Sequence, residues 1–464
     1  MASKNALVFR EDDETTIAVL PHLFVFVPKK PATISLPPIS IRIVIASALL
    51  AGMVAWAVLN AASVSISNQE FVRNSPPGGS ANRTNRHEVH AVNPDRRLRV
   101  ENLPPRAQQS LFAWRNFVSN TFAGDQACAE CHAAEYAAHQ RSGHSRTLTL
   151  MPQSDLASTL SNQGVYKDSR REQQFTFTAT EDTFVVRDDS NAPGVAVPVT
   201  WLLGSGTHAQ TPIAVDEITQ KGVELRWSSF PRHDATRPSE IGLTPDHERF
   251  DDFQQGSIEC FGRPLDSSDI RACLGCHSTV TSPPSLPIME SMVIANVGCE
   301  RCHGPRKDHV DLANQGLAEQ AKPRLKYENA ESYMNTCAAC HRDETSVHPS
   351  ATPDELARFQ PYGIKRSRCY LESPGHLTCS TCHDPHDTVS HDRASSIAQC
   401  QRCHGNPDHG SGYYRSADHD AATFADAPQA VCTHEPTGDC IECHMPAVPW
   451  SEGISFHDHW IRIP

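Results

Sequence analysis

The chain has 464 residues, a formal net charge of −13, 7% aromatic residues and 34 prolines. The acidic balance argues against a general nucleic-acid role. The low aromatic content predicts too small a conventional core for this length, so another apolar component is expected to fill the interior.

In chain order, residues 1–42 read as a cytoplasmic tail. Residues 43–66, IVIASALLAGMVAWAVLNAASVSI, hold 24 residues without a charge. As a helix they would span about 36 Å, enough for a bilayer with tilt. A transmembrane signal anchor is expected; a cleaved signal peptide is the alternative. Flanking charges (Lys29, Lys30 and Arg42 against Arg73, Arg83 and Arg86) do not orient it. Residues 67–120, with SPPGGSANRTNR and NPDRRLRV, read as a flexible linker.

Residues 121–464 carry C-x-x-C-H seven times. The motifs are Cys128/Cys131/His132, Cys273/Cys276/His277, Cys299/Cys302/His303 and Cys337/Cys340/His341. They continue with Cys379/Cys382/His383, Cys400/Cys403/His404 and Cys440/Cys443/His444. Random placement gives roughly 0.03 matches. The pattern is the attachment signal for c-type haem. Positions i, i+3 and i+4 share one helical face, so two thiols can meet the two vinyl groups of one porphyrin and the histidine lies under the iron. Zinc sites and disulfides are the alternatives, but neither needs a histidine after every pair.

Between His132 and Cys273, QQFTFTATEDTFVVRDD alternates apolar and polar residues, and PVTWLLG, TPIAVDEI and GVELRWSSF follow. A small β-rich insertion is expected over 165–230. From Cys273 six motifs crowd into 172 residues, leaving room for short helices and loops wrapped around porphyrins. The expected fold is therefore mainly α with extensive loops around covalent haems, plus the insertion and one N-terminal transmembrane helix. Without haem this chain is expected not to fold stably. Covalent haem attachment occurs on the outer side of an energy-transducing membrane, so the haem domain is expected in the periplasm.

Setting aside His22, His87, His90 and the motif histidines leaves 15 histidines, enough for a second axial ligand on every iron. Prolines follow four motifs, at Pro305, Pro385, Pro407 and Pro446. A proline drives its predecessor out of the α region. The chain then turns from its own haem, and the next histidine, such as His386 in CHDPH or His309 in CHGPRKDH, is aimed at a neighbour. Cys260, Cys369 and Cys432 fall outside the motifs. A Cys369–Cys432 disulfide is one expectation, three buried thiols the other.

The stretches CAECHAAEYAAHQRSGH, GSGTH, CERCHGPRKDH, CSTCHDPH, CIECHMP and DHWIRI resemble the multihaem cytochromes related to cytochrome c-554, which are akin to hydroxylamine oxidoreductases and pentahaem nitrite reductases. The resemblance spans about 125–464. It implies distal ligation by His144, His309 and His386, with His459 and His208 as further candidates. His348, His391, His409 or His419 could supply the remaining positions. No C-x-x-C-K occurs, which weighs against nitrite chemistry.

The expected function is electron relay through seven covalent haem c groups, mostly bis-histidine. Redox partner proteins or quinol-linked membrane complexes are the expected partners. The alternative is a multihaem oxidoreductase acting on a small nitrogen or sulfur compound at one haem with an open distal site, with Tyr333, Tyr413 or Tyr414 available to line it.

Overall fold

The computed structural model describes residues 15–20, 23–28, 97–190, 195–231, 240–253, 255–321, 329–373, 377–404, 439–451 and 454–463. Two units emerge, Met1–Ser67 and Asn68–Pro464. In the first, β1 (Thr15–Leu20) and β2 (Leu23–Pro28) pair antiparallel, Thr15 opposite Pro28 and Leu20 opposite Leu23. The expected membrane segment 43–66 lies outside the described residues. Among the described residues no helix is long and apolar enough to cross a membrane.

The first α-helix among the described residues of the second unit is Pro105–Thr121, with proline at its first position, where no intrahelical N–H is needed. Leu111 is fully buried against Leu286, Met289 and Met292, and Trp114 packs beside it. Residues 97–120 are thus a packed element, which corrects the end of the linker expected over 67–120. Leu111 and Trp114, with Leu98, Val100 and Leu103 before the helix, dock it, while Phe112 and Phe117 stay exposed, so the apolar residues do not mark the packed face in sequence.

The β part follows. Strands β3 (Leu148–Leu150), β4 (Val165–Asp168), β5 (Gln173–Ala179), β6 (Phe184–Asp188) and β7 (Ala196–Pro198) come first. Next are β8 (Trp201–Leu203), β9 (Thr211–Asp216), β10 (Lys221–Leu225), β11 (Trp227–Phe230), β12 (Glu240–Leu243) and β13 (Gly262–Leu265). One sheet has the order β4-β5-β6-β7; a second runs β13-β10-β9-β8-β3. Alternation sets the register: Gln173, Phe175 and Phe177 of β5 and Phe184, Val186 and Asp188 of β6 point inward. Trp227, Leu225 and the helix Asp155–Gln163 close this core, and Ser154 caps that helix by accepting from Ala157 N at 3.1 Å. The sheets extend beyond 165–230 to take in β3 and β13. The chain therefore combines helices with several β-sheets.

The three apolar core clusters lie within residues 98–293. The conventional core is concentrated in the β part and does not extend to the later motifs. Charged groups are buried beside it, Arg226, Asp168 and Asp188 among them. Arg226 is 1% exposed and bonds Asp168, Asp251 and the carbonyl of His247. Desolvating a guanidinium is costly, and three acceptors offset it. Nearby, burial alone would raise the carboxyl of Glu224, but His247 at 3.3 Å and Arg263 at 2.7 Å override it and hold it at about 2. A depressed carboxylate stabilises the fold above its unfolded value of 4.5, and that contribution is lost as pH falls towards about 2. In an acid titration followed by circular dichroism, Glu224→Gln should flatten the loss of stability between these limits. An unchanged acid limb would show that Glu224 does not set it.

From residue 298 onward buried apolar side chains are few. Short helices dominate, and motifs sit on the last turns of Cys299–His303, Ala330–His341, Arg393–His404 and Cys440–His444, as the second motif does on the earlier helix Ser267–His277. The helix Cys379–Cys382 stops one residue before His383, which is already extended. Two further strand pairs flank these helices, β14 (Ser278–Val280) with β15 (Ile294–Ala295) and β16 (Ala447–Ser451) with β17 (Ile454–His457).

Candidate haem-binding sites

Each described motif presents its thiols and histidine at the end of a helical turn. The first motif begins in the helix Asp125–Ala129, and His132 follows it as the cap of the helix Ala133–Arg141. Thiols of different motifs adjoin: Cys128 is in hydrogen-bonding range of Cys299, Cys276 of Cys340, and Cys337 of Cys379. Cys131, Cys382 and Cys443 are exposed. In the sixth motif Cys400 and Cys403 both belong to the helix Arg393–His404. Cys400 is half-buried, whereas the side chain of Cys403, expected as the second attachment thiol of this motif, lies outside the described residues.

The histidines form a pattern that the motifs alone do not give. His132 faces His309 with ring centroids 6.3 Å apart. His303 faces His386 at 6.1 Å with the rings 2° from parallel. His341 faces His144 at 6.2 Å, and His383 faces His459 at 6.2 Å. A metal held between two imidazoles keeps each nitrogen about 2 Å away, and each ring centre lies about 1 Å further, so centroids about 6 Å apart leave room for one iron. The four gaps fit a haem iron on this test. In each pair the second histidine comes from the stretch after a different motif. His309 follows the third motif and faces the first. His386 follows the fifth and faces the third. His144 follows the first and faces the fourth, and His459 follows the seventh and faces the fifth.

For His144, His303, His341, His383 and His459, burial favours the neutral form that ligates metals. Burial, then the neighbouring His341, lowers His144; burial, then His386, lowers His303. Burial also lowers His383 and His341. His459 is pushed down to about 4, chiefly by burial. Backbone carbonyls select the tautomer. Nδ1 of His459 lies 2.9 Å from the oxygen of His457, that of His277 lies 2.9 Å from Thr147, and that of His444 lies 2.7 Å from Arg462. A carbonyl only accepts, so the proton sits on Nδ1 and the lone pair of Nε2 points away, free for a metal.

The other candidates lie elsewhere. His208 packs against Phe456 at 5.3 Å, and burial and then His391 lower it; no motif histidine faces it among the described residues. His348 is engaged with Ser350 Oγ at 2.6 Å. His404 ends the helix Arg393–His404. His409, His419, Tyr413, Tyr414 and Cys432 lie outside the described residues, so the expected Cys369–Cys432 bridge does too. Cys260 is buried in the β core.

Three residues around the first and third motifs escaped the sequence reading. Glu300, between the thiols of the third motif, is 4% exposed and accepts from Ala123 N at 2.9 Å, Gly124 N at 2.8 Å and Arg306 N at 2.7 Å. Asp125 accepts from Cys299 N at 2.9 Å, and His139 Nε2 lies 2.9 Å from the oxygen of Val297. One donor atom each of Asp125, His139 and Cys299 lies within 4.8 Å of the others. Together with Glu300, this cluster clasps the segment of the first motif to that of the third. A glutamate between two cysteines carries no signal in sequence. Each bond to a charged acceptor is worth roughly 1.5–3 kcal/mol. Glu300→Ala should therefore cost about 2–4 kcal/mol in denaturant unfolding, with Glu300→Gln milder. Equal stability of Glu300→Ala and the parent would show that the clasp is dispensable.

Residues 253–304, which include the second and third motifs, match the family described as cytochrome c554 and c-prime. No curated protein matches. A solved structure, the outer cell wall cytochrome OcwA, is similar at 14% identity over 74% of this chain and 79% of that one, with a TM-score of 0.39. The repeated C-x-x-C-H units and the match to cytochrome c554 establish the class: the chain is a multihaem c-type cytochrome with covalently bound haem c, similar over residues 253–304 to the cytochrome c554 family.

Proposed function

We propose that the protein is a membrane-anchored cytochrome that relays electrons through seven covalently attached haems, most of them held by two histidines. The haem irons supply one-electron redox chemistry when bound. The chain supplies the rest: fourteen motif thiols to attach, seven proximal histidines to ligate, and crossing histidines to complete the coordination. The four facing imidazole pairs carry this reading, because a ring spacing near 6 Å recurs with each distal candidate drawn from a different segment. The net charge of −13 favours a basic redox protein as partner, with association weakened by salt; a quinol-linked membrane complex is the other candidate. The segment 43–66 would anchor the haem domain on the periplasmic face. Intact mass of the denatured holoprotein tests the stoichiometry. It should exceed the polypeptide by seven haems, one for each motif. A smaller increment, or bound zinc in a colourless protein, would overturn it.

His277 favours a second reading. Its ring is buried and its Nδ1 is fixed by Thr147, yet no imidazole faces it among the described residues. An exchangeable position there would suit turnover of a small nitrogen or sulfur compound. A high-spin ferric signal altered in the His277→Ala variant, together with reduction of hydroxylamine or nitrite, would select the enzyme; a fully low-spin spectrum of the parent selects the carrier.

A further inference from the structure

Accepting His459 as the distal ligand facing His383, we infer that Gly363 and Ser367 are positioning residues that set its placement. The end of the chain crosses the helix Gln360–Lys365 at very close range. A Cβ on Gly363 would lie 2.7 Å from both the carbonyl carbon of His459 and the nitrogen of Trp460, and 3.1 Å from the Cα of His459. These are backbone atoms, so no rotamer change relieves the clash. Only glycine lets the two main chains touch here.

Ser367 is fully buried one turn further on. Its hydroxyl reaches the carbonyl oxygen of His459 at 3.2 Å and accepts from Ile461 N at 2.8 Å. The backbone on both sides of Trp460 is thereby pinned. Trp460 itself lies under Arg366 at 3.8 Å and Arg462 at 4.5 Å. With the main chain fixed, the bond from Nδ1 of His459 to the oxygen of His457 fixes the ring, whose centroid lies 6.2 Å from that of His383. The ligand thus depends on two small residues nearly a hundred positions away, in a segment that carries no haem motif. A ligand held by a preorganised support binds its metal more firmly than one on a loose terminus.

The test uses the full holoprotein, with carbon monoxide binding to the reduced form and electron paramagnetic resonance of the oxidised form as readouts. Gly363→Ala should leave haem stoichiometry unchanged, because attachment uses only the motif thiols. It should add one carbon monoxide-binding haem per chain over the parent and one high-spin ferric signal, and added imidazole should reverse both. Ser367→Ala, which adds no volume, should produce the same species in part. His459→Ala is the reference for complete loss. If His459→Ala opens a site and neither other variant does, the positioning role is wrong. If His459→Ala itself changes nothing, the ligand reading fails instead. Should Gly363→Ala yield no holoprotein, Ser367→Ala decides alone: a spectrum identical to the parent overturns the proposal.

Discussion

Alanine in place of His386 should leave every haem attached and open one axial position, at the iron of the third motif. The ring of His386 lies 6.1 Å from that of His303 and 2° from parallel. Its own motif histidine, His383, instead faces His459. Local geometry explains the divergence. The helix Cys379–Cys382 ends before His383, and Pro385 keeps the chain from resuming it. Asp384 accepts from His386 N at 2.9 Å and lies 3.4 Å from its Nδ1, so the ring turns Nε2 outward. One short stretch, from His383 to His386, would therefore grip two haems and fix their separation. The variant should gain one high-spin, carbon monoxide-binding haem, and exogenous imidazole should restore the low-spin spectrum. His303→Ala should perturb the same iron, whereas His383→Ala should perturb another. If His386→Ala remains low-spin and carbon monoxide binding does not rise, His386 is not a ligand.

What could be read in the sequence follows the range of the interactions. The motifs are local, so their chemistry was plain from spacing. His386 and His309 stand out because a proline, Pro385 or Pro305, separates each from its own motif. Their partners were not legible, since the contacts of His386 with His303 and of His309 with His132 join separate segments. The alternation of QQFTFTA and FVVRD gave β5 and β6 directly. The edge strands did not announce themselves: LTL has three residues, and GRPL carries both glycine and proline. The supporting groups were the least visible. Glu300, Gly363 and Ser367 act through backbone atoms distant in sequence, and no residue pattern marks such a role.

Blocking haem attachment should divide the chain into two regions of very different protection. In the β part the side chains make their own core: Phe175, Phe184, Trp201 and Trp227 are almost wholly buried. The helix that carries the second motif belongs to it, because Ile270 and Leu274 pack with Leu148, Trp201 and Ile213. At about 25 cal/mol per Å² of apolar surface, burial on this scale can sustain a small domain, provided it is contiguous. The last three motifs have no comparable reserve. In residues 377–404 no described side chain is buried, and around the seventh motif only Ile441 and Ile454 are. Their backbone must be held by porphyrin faces and by ligands crossing between segments. A chain with serine in place of the motif cysteines should therefore keep slow amide exchange over residues 148–293 and lose it over 377–463. Haem attachment would then act as the folding step for the C-terminal region alone, as metal binding does in small domains that cannot fold without it. Uniform loss of protection along the whole chain would show that the β core also depends on haem. Protection retained over 377–463 would show that the C-terminal helices need none.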